Sequence, residues 1–258
     1  MRKSAFLAIL ISIAVILNFT ACDNFFSNSM GSPRRYNKAN INVNAGNAGQ
    51  WIERAAGNPD LALAVLESIM DQIGSANPSD KAVLKQAGVM LAVEASGLGT
   101  SILSNANALS NLISGEGSNE DAIKELVGKL QGDFNSGHGP NSANMLAQIL
   151  NPTSGSSAPQ FDNNYMQNAQ PSEVAQAIII LSLGIMNDIG KTASDDFSNL
   201  INDIEGIQLQ NGKVTLTNAA SPPEPKVLAL VAYLNLIAGN EDWDNPITNG
   251  IKDALLSE

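Results

Sequence analysis

The chain has 258 residues with 14 basic and 25 acidic side chains, a formal charge of −11, and it is 44% hydrophobic but only 5% aromatic. So acidic a body is repelled by anionic headgroups and by nucleic acid, and no basic stripe with interleaved aromatics offsets this, so no nucleic-acid partner is expected. The length allows one or two domains with a sizeable core, and an apolar set dominated by Ala, Leu and Ile suits packed helices.

The N-terminus has the order of an export signal. Arg2 and Lys3 give a positive start, Ala5 to Leu17 are almost wholly apolar, and the small residues Thr20 and Ala21 precede Cys22. The apolar run falls short of the roughly 20 residues that a spanning helix needs. Cys22 is the sole cysteine, so an exported chain with access to oxidising chemistry has nothing to pair it with. Phe19-Thr20-Ala21-Cys22 resembles the lipobox of bacterial lipoproteins, in the relaxed form seen in spirochaetes, with Phe19 where the family prefers Leu. The resemblance covers only the first two dozen residues. It implies cleavage after residue 21, diacylglycerol on the Cys22 sulfur and a fatty acyl group such as palmitate on the new amine. Asp23 resembles the inner-membrane retention signal of enteric bacteria, a rule that does not extend to all phyla. Two or three acyl chains anchor stably, because each buried CH₂ contributes about 0.8 kcal/mol. Loss of Arg2 and Lys3 leaves 12 basic residues of the 14 against 25 acidic ones, taking the charge from −11 to −13.

Residues 22–46, rich in Asn, Ser and Gly, read as a flexible lipidated tether, and residues 47–258 as a helical domain. Asn58-Pro59-Asp60 combines a cap residue, a proline suited to the first turn and an acid at the positive helix end. Leu61, Val65, Leu66, Ile69 and Ile73 then recur at helical spacing up to Gly74. Ser79-Asp80 opens a second helix through Val83, Leu84, Ala87, Met90, Leu91 and Val93 to Gly97. A third runs from Ile102 to Gly115. A fourth starts at Ser118 with Glu120 and Asp121 and carries Ile123, Leu126, Val127 and Leu130; a weaker fifth spans 141–150. Residues 151–170 form the longest break, read as a surface loop, a lid or a division into two halves. Pro171-Ser172-Glu173 begins a helix apolar on nearly all sides, which belongs at the centre of the fold. A helix over 195–204 follows. Ile207 to Leu216 alternates apolar and polar around Asn211-Gly212, predicting a hairpin with Leu209 opposite Val214 and Ile207 opposite Leu216. Helices over 225–238 and 246–256 complete the chain.

The expected class is therefore all-α with one short β-hairpin. Helix starts near positions 59, 79, 99 and 118 make a unit of about 40 residues. This is similar to tetratricopeptide-like and other α-solenoid lipoproteins, although the Trp, Leu, Gly and Tyr positions of the tetratricopeptide pattern are missing. A helical-hairpin stack and an irregular bundle both fit.

Chemistry is sparse. His138, the sole histidine, lies in Gly137-His138-Gly139-Pro140; without a second His or a free Cys it makes no zinc site, and it reads as a solvated loop residue. Gly97-Leu98-Gly99 is a helix break without the spacing of a dinucleotide loop. Glu241-Asp242-Trp243-Asp244 lacks the frame of a calcium loop and reads as a charged loop around a half-buried Trp243. Acids at Asp195-Asp196 are explained by the helix dipole. No enzyme, cofactor or metal is expected. The sequence points to a lipoprotein anchored through Cys22 to the inner or outer membrane. Its body would lie in the periplasm or at the cell surface as a scaffold for a protein partner. The alternative is a solute-binding accessory subunit of a transporter.

Overall fold

The computed structural model describes residues 41–99, 120–153, 158–190, 207–210, 213–216, 224–240 and Trp243. Within them lie eight helices and one hairpin. The helices are α1 (Ala48–Ala55), α2 (Pro59–Ile73), α3 (Pro78–Ala95), α4 (Glu120–Ser136), α5 (Gly139–Leu150), α6 (Asn163–Asn168), α7 (Pro171–Asp188) and α8 (Pro225–Ala238). Strands β1 (Ile207–Gln210) and β2 (Lys213–Leu216) precede α8. The fold is all-α, with this one short hairpin among the described residues. The helices expected over 102–115, 195–204 and 246–256 lie outside the described residues, as do Cys22, Asp195 and the Asn211-Gly212 turn. Among the described residues no helix is long and apolar enough to cross a membrane.

Helix starts follow local chemistry. The Asn58 side chain accepts from Leu61 N–H at 3.0 Å, and Pro59 occupies the first turn. For α3 the cap is Asn77, not the Ser79 that the sequence suggests: Asn77 Oδ1 accepts from Asp80 N–H at 2.9 Å. Pro78 then fills the first position, so the helix begins before Ser79. At α7 the Glu173 carboxylate reaches back to the Gln170 N–H at 3.2 Å.

Helices α1, α2, α3, α5, α7 and α8 form a two-layer stack. Each packs on the next and on the next but one, so that α1, α3 and α7 make one layer and α2, α5 and α8 the other. Helix α4 rests on α5 and α7, and α6 on α3. One continuous core runs through both layers, with Val65, Leu66, Ile69, Leu91, Leu146, Leu150, Ile180 and Val231 fully buried. The apolar α7 packs against α3, α5 and α8, which accounts for its lack of a polar face. Small residues let the helices approach closely. A Cβ on Gly184 of α7 would stand 2.6 Å from the Ala143 Cβ of α5.

Two boundaries differ from the sequence reading. Residues 41–46, expected in the tether, are already fixed: Val43 is fully buried and donates to Ser68 Oγ at 3.4 Å, while Ser68 donates to the Ile41 carbonyl at 3.2 Å. Helix α1 follows at once, and its Trp51 indole donates to the Asn42 carbonyl at 3.3 Å. The break at 151–170 also contains structure. Thr153 pairs with Gln160 in an isolated bridge, and α6 occupies its second half. The hairpin has the expected register, Leu209 with Val214 and Ile207 with Leu216. It is carried on α8, with Val214 buried.

Candidate binding cleft

Helices α6 and α8 wall an open cleft of about 480 Å³. In α6 the helical period separates two faces. Tyr165 points into the core, and Asn163, Met166 and Gln167 line the cleft. In α8 the buried set includes Ala232, Tyr233, Leu234 and Ile237, while the half-buried Asn235 and Leu236 line the cleft beside Ala232. Gln160, Gly239 and Asn240 complete the lining. The lining therefore carries five side-chain amides together with the apolar Met166, Ala232 and Leu236, and no lining residue is charged.

A buried aromatic and polar cluster fixes the two walls. The Tyr165 and Tyr233 hydroxyls are 2.5 Å apart, and the Phe161 ring lies 5.1 Å from the Tyr165 ring and 4.6 Å from the Tyr233 ring. Burial pushes both phenols well above their ordinary pKa, which keeps them neutral. Lys85 of α3 reaches Asp162, the cap of α6, at 2.6 Å, and its ammonium lies 5.6 Å from the Tyr165 ring centre. Partial burial pushes the Asp162 carboxyl up, but the Lys85 ammonium and the Tyr165 N–H hold it below the usual carboxylate range. Gln86 of α3 donates to the Asn168 carbonyl at 2.6 Å, tying down the other end of α6.

Asn235 behaves differently from the other amides. Its Oδ1 accepts from Val214 N–H at 2.8 Å, and its Nδ2 donates to the Val214 carbonyl at 2.9 Å. One side-chain amide thereby satisfies both outward-facing groups of an extended residue, as a neighbouring strand would. Among the described residues, the side chains of Gln160, Asn163, Gln167 and Asn240 make no hydrogen bond or ion pair.

The residues that the sequence singled out lie elsewhere. His138 precedes α5, and its Nε2 is 2.7 Å from Asp60 Oδ1, a partner that sequence spacing could not locate. His138 is a surface turn residue, as the sequence suggests, and Asp60 is its partner there. The Ser142 hydroxyl donates to the His138 carbonyl rather than meeting the ring. Trp243 is half-buried against the core, whereas Glu241, Asp242 and Asp244 lie outside the described residues. Gly97 ends α3 with φ +76, a helix stop and not a phosphate loop. The cleft amides gave little signal, because amides within 160–170 look the same in an irregular loop. No protein family matches this chain, and neither does any curated protein or solved structure.

Proposed function

We propose that this chain is an exported lipoprotein, cleaved before Cys22 and held at a membrane by lipid on that cysteine, whose helical stack is a scaffold for another protein. The observation that carries the scaffold role is the α6–α8 cleft, open to solvent and uncharged, with unpartnered amides. A solute-binding subunit would be expected to enclose its ligand and converge a few polar groups on it. An open cleft favours contact with a larger molecule. The anchor rests on the lone Cys22 after its short apolar run, and the reading includes no catalytic step.

Two measurements test this. Intact mass of the mature product should give a chain starting at Cys22 with added acyl mass; retention of Met1, or a bare Cys22 start, refutes the anchor. Mild crosslinking in membranes should recover one protein partner, and Cys22→Ser should lose it by leaving the membrane. A wild-type chain that recovers no partner refutes the scaffold.

A further inference from the structure

We propose that the α6–α8 cleft binds a short, extended and uncharged peptide segment, reading its backbone through side-chain amides. This rests on the scaffold reading and names the part of the partner that is held. The chain itself displays the chemistry, since Asn235 in the cleft wall accepts the Val214 N–H and donates to the Val214 carbonyl at 2.8 and 2.9 Å. Gln160, Asn163, Gln167 and Asn240 bring the same donor and acceptor pair to the cleft and are unpartnered among the described residues. The half-buried Met166 and Leu236 supply apolar lining for side chains of an extended occupant.

Charge and size restrict the occupant. No lining residue is ionised although the chain carries a formal charge of −11, so nothing in the cleft selects a charged ligand. Its α8 wall runs from Ala232 to the helix cap Gly239, about 10 Å at the helical rise and so about three extended residues. A sugar ring would be expected to lay its C–H face on an aromatic ring, and here Phe161, Tyr165 and Tyr233 are all buried beneath the walls. The walls are fixed in advance by the Tyr165–Tyr233 and Lys85–Asp162 contacts, which limits the ordering cost of binding.

The test uses the full chain in detergent micelles and the uncharged probe acetyl-Ser-Val-Thr-Leu-amide, followed by ligand-observed NMR titration. Binding should saturate and change little with added salt, since no ion pair forms. The double variant Asn163→Ala/Gln167→Ala should bind about tenfold more weakly, the loss expected for one or two hydrogen bonds. Asn164→Ala, on the same helix but outside the cleft, should bind like wild type. Three results overturn the proposal: no saturable binding, equal binding by the double variant, or displacement of the probe by a neutral N-acetylated trisaccharide that binds more tightly. The two readings fail separately. If crosslinking recovers a partner but the peptide does not bind, only the cleft assignment falls. If the peptide binds through these amides but no partner is recovered, the scaffold falls and the peptide site stands.

Discussion

Two helical glycines should respond to the same substitution with opposite sign. At Gly132, exposed on α4, an added Cβ meets nothing within 4 Å. At Gly184, buried on α7, it would stand 2.6 Å from the Ala143 Cβ and 3.2 Å from the Lys226 Cδ. Carbon atoms pack best at about 3.5–4.0 Å, so α5 and α7 would have to separate by about 1 Å at their crossing. Lys226 offers little relief, because its buried ammonium is held by Asn144 at 2.7 Å and by Asp188. Alanine gains about 1 kcal/mol over glycine in either helix through propensity. Overpacking at residue 184 costs about 1–3 kcal/mol. Gly132→Ala should therefore stabilise by up to about 1 kcal/mol, and Gly184→Ala should fall below it by about 1–3 kcal/mol. Urea unfolding with a common m-value measures this. Adding Ala143→Gly to Gly184→Ala should recover much of the clash, appearing as a favourable coupling in the double-mutant cycle. If Gly184→Ala stabilises as much as Gly132→Ala, the close α5–α7 crossing is wrong.

The phenol pair beneath the cleft should also be strongly coupled. Tyr165→Phe or Tyr233→Phe alone leaves the other buried hydroxyl without its partner, at a cost of about 1–3 kcal/mol, whereas the double substitution should cost clearly less than the two singles combined. Additive losses would show that the hydroxyls do not depend on each other. Acid titration separates two carboxyls of opposite behaviour. Asp162 is held below its ordinary pKa, so the stability it contributes is present above the unfolded value and is lost as pH falls through the folded one. Asp162→Asn keeps the cap but should be less stable at pH 7 and show a shallower decline into acid. Glu94 is raised by burial, in part offset by the Gly57 N–H. Its desolvation cost is fully present at neutral pH and is relieved as pH falls through the raised pKa towards the unfolded value. Glu94→Gln should remove that gain, and unfolding curves for variant and wild type that stay parallel between pH 7 and pH 4 would rule the assignment out.

Much of the fold can be read from residues because its signals are local. Asn58-Pro59-Asp60 starts α2 wherever the rest of the chain goes, since the cap, the proline and the acid act within one turn. The apolar periods of α2, α3 and α7 and the alternation from Ile207 to Leu216 likewise identify helices and a hairpin. The misread places depend on distant partners. Residues 41–46 look like linker until Ser68 and the pocket for Val43 are in position. Helix α6 has only six residues, too few to be stable alone, and it persists because Lys85 and Gln86 hold its ends while Tyr165 meets Tyr233.

By itself the sequence determined the helical class, the starts of α2 and α7, the hairpin register and the net acidic charge, all set by neighbours a few residues away or by composition alone. The pairing of layers, the close seat of Gly184 on Ala143, the Asp60 partner of His138 and the union of α6 with α8 were decided only by the tertiary structure. These contacts join residues tens of positions apart, and periodicity states which face of a helix is buried, not which helix covers it. The cleft follows the same rule: its amides acquire a common purpose only when two segments about 70 residues apart are brought side by side.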